Sequence, residues 1–194
     1  LFSQTQVNNE QGLTFAQGLR SVLRQDPNVI MVGEIRDAET ARTAIQAGLS
    51  GHLILTTVHA NSASGVFNRL IEMGVEPFLL ASASVASVAQ RLVRALCPHC
   101  REPAGVTPQD AARLDAAGIA ISQFFASTGC KRCGGTGYLG RTAIYEMLPL
   151  STAVRDAINA KLPTPKIHAV AASEGMVSLL AAGVEIGRDM NDAH

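Results

Sequence analysis

Paired cysteines two residues apart constrain this chain more than any other feature. The four cysteines fall as Cys97-Pro98-His99-Cys100 and Cys130-Lys131-Arg132-Cys133, with residues 101–129 between the pairs. Two intervening residues let both thiolates of a pair turn toward one metal ion, and two such knuckles complete a tetrahedral shell. Gly129, Gly134, Gly135 and Gly137 surround the second knuckle and suit the tight turns it requires. The interval is longer than in common zinc fingers, but a helix can occupy it. Two disulfides would need an oxidising compartment, and nothing in the sequence directs export. A redox CxxC normally occurs once, in a thioredoxin-like setting, and an iron–sulfur cluster uses the same thiolates. The spacing favours a closed structural zinc site on Cys97, Cys100, Cys130 and Cys133, a staple and not a reaction centre.

Around that staple the chain reads as α/β. Hydrophobic residues make up 47% and charged residues 16% of 194, with no Trp. That is enough to bury a core, and the Ala, Val and Leu content favours helices on a sheet over an aromatic sandwich. The formal net charge is zero, which leaves no broad electrostatic attraction to nucleic acid or anionic lipid. The uncharged stretch Phe78–Gln90 is too short and too rich in Ser and Ala to span a membrane. A start at Leu1-Phe2-Ser3-Gln4 suggests a fragment or processed chain.

Thr14 and Gln17 have capping-box spacing before Phe15, Leu19, Val22 and Leu23 at helical intervals. Val29–Val32 is a short apolar run ending at Gly33, which predicts a parallel strand covered on both faces. Asp37 can cap a helix over 38–47, and His52–Val58 reads as a second buried strand. Ser62 can cap a helix ending near Gly74, and Pro77 opens one predicted to run to about Leu96. Thr107 with Pro108 starts the single short helix expected between the knuckles. Thr142–Leu148 is strand-like, and helical segments begin near Ser151, Thr164 and Met176.

Glu34 lies just beyond the first strand, and His59 just beyond the second, beside Thr56, Thr57 and Asn61. Ligands of open α/β sheets bind at these carboxyl ends. A carboxylate there can organise Mg²⁺ or polarise a water, and a His can donate to a phosphate. Taken alone, each residue is also compatible with a helix cap, a surface charge or a structural His, as is His52 at the second strand's start.

From Gln4 to Cys100 the sequence closely resembles the motor ATPases of type II secretion, the GspE or PulE class, and of type IV pilus assembly, the PilB class. The matching words are Gly12-Leu13-Thr14-Phe15-Ala16, Leu23 through Asp37, Gly51-His52-Leu53-Ile54-Leu55, His59-Ala60-Asn61 and Gln90-Arg91-Leu92-Val93. The knuckles, Gly137-Tyr138-Leu139-Gly140-Arg141 and Ile144-Tyr145-Glu146 extend the match. The resemblance implies three parts: residues 1–96 as the C-terminal portion of a RecA-like ATPase core, 97–137 as a zinc-binding subdomain, and 138–194 as a strand with a C-terminal helical segment. It makes Glu34 the glutamate of an atypical Walker B motif, acting with Mg²⁺ and the attacking water, and places His52 and His59 in a His box that senses the γ-phosphate. Arg20, Arg24 and Arg36 are candidates for stabilising phosphate charge or bridging subunits. The implied whole is a hexameric ring of self-copies that hydrolyses ATP at the cytoplasmic side of the inner membrane, docked to secretion or pilus platform proteins and not to nucleic acid. No G-x-x-x-x-G-K-[ST] occurs in the chain, so the isolated chain is expected to be inactive. The alternative is a zinc-stabilised, non-catalytic scaffold.

Overall fold

The computed structural model describes residues 3–8, 10, 12–120 and 124–192. In chain order its elements begin α1 (Phe15–Leu23), β1 (Val29–Val32), α2 (Ala38–Leu49), β2 (Leu53–Thr56), α3 (Gly65–Glu72) and α4 (Pro77–Ala83). They continue β3 (Ala86–Leu96), β4 (Arg101–Ala104), α5 (Pro108–Ala116), β5 (Phe124–Ser127) and β6 (Tyr138–Pro149). Helices α6 (Thr152–Asn159), α7 (Thr164–Ser173) and α8 (Leu179–Asp192) close the chain. Residues 193 and 194 of the expected helical segment lie outside the described residues. The chain divides into two compact units, Leu1–Val88 with Met147–Met176, and Ala89–Glu146 with Val177–His194.

The first unit is built on a parallel β–α–β step. Val29 lies opposite Leu53 and Val32 opposite Thr56, and the crossover is α2, because parallel neighbours need a long connection. Thr14 opens α1 with a complete capping box, its hydroxyl accepting the Gln17 N–H while the Gln17 side chain accepts the Thr14 N–H. Asp37 starts α2 by taking both the N–H and the hydroxyl of Thr40 at 2.8 Å, a cap worth about 1 kcal/mol. The buried face of α2 carries only Thr40, Ala41, Ala44 and Ala47. Such small side chains let neighbours approach closely, and a Cβ at Gly48 would lie 3.5 Å from that of Ala83 in α4. Helix α2 packs on α1 and α4, α4 on α6, and α6 on α7. Phe67, Leu80, Leu148, Val154, Ile158 and Ile167 are almost wholly removed from solvent there, each contributing roughly 1.5–3 kcal/mol.

Two expectations are corrected in this unit. The strands were expected to be covered on both faces, but Val29 and Met31 are 54% and 74% exposed, and Leu53 and Leu55 are 50% and 49% exposed. Ile30 and Val32 point into the helical layer, while the opposite face is open among the described residues. The helix from Pro77 ends at Ala83, and Ala86–Leu96 is strand β3 instead. Val85, Val88 and Val93 favour extended backbone, and pairing with β6 outweighs the helix propensity of the alanines and leucines.

In the second unit, β4 pairs antiparallel with β5, Arg101 opposite Ser127 and Ala104 opposite Phe124. This pair went unanticipated because Pro103 interrupts the run, and Pro is tolerated only on an edge such as this. Helix α5 starts where the sequence placed it, with the Thr107 hydroxyl accepting the Asp110 N–H at 3.1 Å. Strands β3 and β6 pair, and the buried Glu146 of β6 accepts the Leu179 N–H at the start of α8 at 3.4 Å.

Candidate metal centre and nucleotide site

Cys97 follows β3 directly, and Cys130 precedes a 3₁₀ turn over Lys131–Cys133 whose last residue is Cys133. The Cys97 N–H donates to the Gly137 carbonyl at 2.9 Å, stitching the first knuckle to the end of the second. Gly129 has φ of +86°, and a Cβ there would meet the Gly135 carbonyl oxygen at 2.5 Å; only glycine fits. The four Sγ atoms all lie within 4.8 Å of one another. Cys97–Cys130 and Cys100–Cys133 are 3.9 Å apart and Cys130–Cys133 3.8 Å. A tetrahedron with Zn–S bonds of ~2.3 Å has edges of about 3.8 Å, so the thiols fit one ion.

The thiols differ in their electrostatics. The Cys133 sulfur accepts the N–H groups of Cys130 at 3.1 Å and Gly137 at 3.3 Å. These, with Cys130's donation first, lower its pKa to about 6. Burial pushes the Cys97 thiol up to about 11. Four clustered thiolates repel one another without a divalent ion at their centre. His99 stands apart from this cluster: its Nε2 is 3.1 Å from Arg132 Nη1, and since a guanidinium only donates, that nitrogen accepts.

At the carboxyl ends of β1 and β2 the structure brings Glu34, Arg36 and His59 together. Arg36 Nη2 lies 2.5 Å from Glu34 Oε1, and His59 Nε2 lies 3.4 Å from Glu34 Oε2. The hydrogen bond from Arg36, with lesser help from its charge and from His59, holds the Glu34 carboxyl below the usual carboxylate range against the cost of burial. The carboxylate is therefore ionised and only 23% exposed, while His59 is 87% exposed and able to turn toward a ligand.

The other candidates lie elsewhere. His52 precedes β2, so the length of the four-residue strand, roughly 13 Å of chain, separates it from His59. Its Nδ1 donates to the Ala47 carbonyl at 3.2 Å, beside the Ser50 hydroxyl at 3.1 Å, which closes the C-terminal end of α2. Arg20 pairs with Glu39 at 2.8 Å, and Arg24 donates to the Ser21 hydroxyl at 3.3 Å. Sequence reasoning missed Thr57, whose hydroxyl donates to the Gly33 carbonyl at 2.8 Å. A hydroxyl at a strand's end gives no signal of which carbonyl it will reach.

A parallel β–α–β step with a carboxylate at its carboxyl edge places the first unit among the open α/β folds that take ligands at that edge. The chain's structure is similar to the ATPase DotB of Yersinia pseudotuberculosis, with a TM-score of 0.53 at 24% identity over 89% of this chain and 34% of that one. It is similar to the pilus retraction motor PilT with bound ADP, again with a TM-score of 0.53 at 24% identity, over 87% of this chain and 42% of that one. At that identity the likeness shows the fold. The family described as "Type II/IV secretion system protein" matches residues 2–189, and the chain belongs to it. Type II secretion system protein E of Klebsiella pneumoniae is 54% identical over 157 residues, covering 80% of this chain and 31% of that protein. The Type IV pilus assembly ATPase PilB of Thermus thermophilus is 47% identical over 184 residues, 94% of this chain and 21% of that protein. The chain thus spans about a third or less of the curated relatives it matches.

Proposed function

We propose that this chain is part of a motor ATPase that couples ATP hydrolysis to type II secretion or to pilus or pseudopilus assembly. The observation that carries the proposal is the Glu34 carboxylate, hydrogen-bonded by Arg36 and faced by His59 at the ligand-binding edge of a parallel sheet. Glu34 polarises the attacking water, and His59 turns onto the γ-phosphate as charge develops there. Mg²⁺ bound with ATP would neutralise phosphate charge beside the same carboxylate. Of the three arginines, Arg36 acts at this carboxylate, while Arg20 and Arg24 lie on the α1 surface, where they could meet a neighbouring subunit. His52 shapes the far end of β2.

Residues 97–137 form a zinc-binding subdomain in which Cys97, Cys100, Cys130 and Cys133 hold one structural ion. Relatives named for type II secretion and for type IV pilus assembly support a secretion or pilus role, and the reading extends it to a ring of copies working at the cytoplasmic face of the inner membrane against platform proteins. No helix among the described residues is long and apolar enough to cross a membrane. With no phosphate-cradling loop in these 194 residues, the isolated chain does not turn over ATP. The test is Mg²⁺-dependent ATP hydrolysis by the full-length protein and its Glu34→Gln variant. Turnover should fall by a factor of about 10² or more, as for loss of other positioned catalytic groups. Unchanged turnover in the variant would remove Glu34 from catalysis, and absence of turnover in the full-length parent would move the non-catalytic scaffold reading into first place.

A further inference from the structure

The catalytic carboxylate sits on a weak piece of backbone. Glu34 follows Gly33, which has no side chain to anchor it; its nearest neighbour is the Phe15 ring, 3.7 Å from where a Cβ would be. The regular ladder between β1 and β2 ends at Val32 and Thr56, so Glu34 lies beyond the pairing that fixes the strands. A glycine at such a point permits wide excursions. Something must restrain the peptide units on either side of Glu34.

Both restraints come from one residue. The Thr57 hydroxyl donates to the Gly33 carbonyl at 2.8 Å, and the Thr57 carbonyl accepts the Ile35 N–H at 3.0 Å. Gly33 and Ile35 are the two neighbours of Glu34, so Thr57 grips the chain immediately before and after it. The same residue stands two positions before His59. It therefore links the loop that carries the carboxylate to the loop that carries the imidazole, which face each other at 3.4 Å. The carbonyl bond is backbone and available to any residue; the hydroxyl bond requires Thr or Ser.

We propose that Thr57 is a positioning residue for Glu34, its hydroxyl fixing the carboxylate relative to His59. The inference rests on the ATPase reading above and deepens it. The hydroxyl's proton is committed to the Gly33 carbonyl, so its loss is expected to act on the chemical step and not on nucleotide affinity. Catalytic geometry is sensitive to such loosening, because a carboxylate displaced by about 1 Å no longer aligns its water.

The experiment compares Thr57→Val, Thr57→Ser and Glu34→Gln in the full-length protein, with steady-state ATP kinetics and thermal melting for each. Valine keeps the shape and removes the hydroxyl; serine keeps the hydroxyl. Thr57→Val should lower kcat about fivefold to tenfold, the worth of one positioning hydrogen bond, with KM held within about twofold. Thr57→Ser should restore kcat to within about twofold of the parent. A Thr57→Val enzyme at full kcat, a rise in KM alone, or an equal fall in both Thr57 variants would overturn the proposal, provided Glu34→Gln is inactive. A Glu34→Gln enzyme as active as its parent would remove Glu34 from catalysis and overturn the proposal with it, whereas a full-length parent without Mg²⁺-dependent ATP turnover would defeat the ATPase reading beneath it, and the two failures are thereby told apart.

Discussion

Removing the metal should unfold one unit of this chain and spare the other. Among the described residues, the buried apolar side chains of the second unit are Ala89, Cys97, Leu114, Cys133 and Ile144. Two of these are metal ligands in our account. Leu114 and Ile144 are the only large aliphatic side chains in that set, and their burial contributes roughly 3–6 kcal/mol together. Apparent binding free energies for a structural zinc site are about 10–16 kcal/mol near neutral pH. The ion therefore outweighs the apolar core of its unit, whereas the first unit has Phe67, Leu80, Leu148, Val154, Ile158 and Ile167 of its own. Hydrogen exchange read by mass spectrometry, with and without a strong chelator, measures this directly. Protection should vanish across 97–138 and persist across α2, α4 and α6, with about one zinc released per chain. Unchanged protection across 97–138 after demonstrated metal loss, or a folded protein free of zinc, would refute the reasoning.

Arg36→Ala removes the largest influence that lowers the Glu34 pKa, so that pKa should rise. Since the ionised carboxylate is the working form, the acid limb of the pH–rate profile of the full-length protein should move to higher pH, and an unmoved limb would contradict the pairing. Ile158→Ala empties a site with 0% exposure and should cost about 2–5 kcal/mol, read as a fall in chemical-denaturation stability of the first unit. Gly129→Ala drives a methyl group to 2.5 Å from the Gly135 carbonyl oxygen at positive φ. Zinc content should fall in that variant, while protection of α2 and α6 remains.

What the sequence disclosed and what it hid divide along physical lines. Caps and knuckles are local chemistry, so Thr14, Asp37 and Thr107 and the four cysteines stood out from spacing alone, and each occupies its expected place. Strand β3 was hidden because Ala and Leu between Val85 and Val93 satisfy a helix equally well until β6 pairs with them. The open face of Val29, Met31, Leu53 and Leu55 was hidden because an apolar run states a preference for burial, not the presence of a cover. At the proposed site, residues after consecutive parallel strands meet at one edge, which explains why Glu34 and His59 lie together, while the roles expected of them came from the resemblance and not from placement. His52 shares the implied His box with His59 but lies at the other end of β2. The Thr57 hydroxyl reaches across 24 positions to Gly33, a pairing that no local pattern encodes.

The central claim is that Glu34 and His59 form the catalytic edge of a nucleotide site. The most direct measurement is a structure of the full-length protein with Mg²⁺ and a non-hydrolysable ATP analogue. The account predicts a Glu34 oxygen within about 3 Å of a water in line with the γ-phosphate, and His59 turned to donate to a γ-phosphate oxygen. A nucleotide bound with its γ-phosphate more than about 10 Å from the Glu34 carboxylate, beyond the reach of any bridging water, would contradict it.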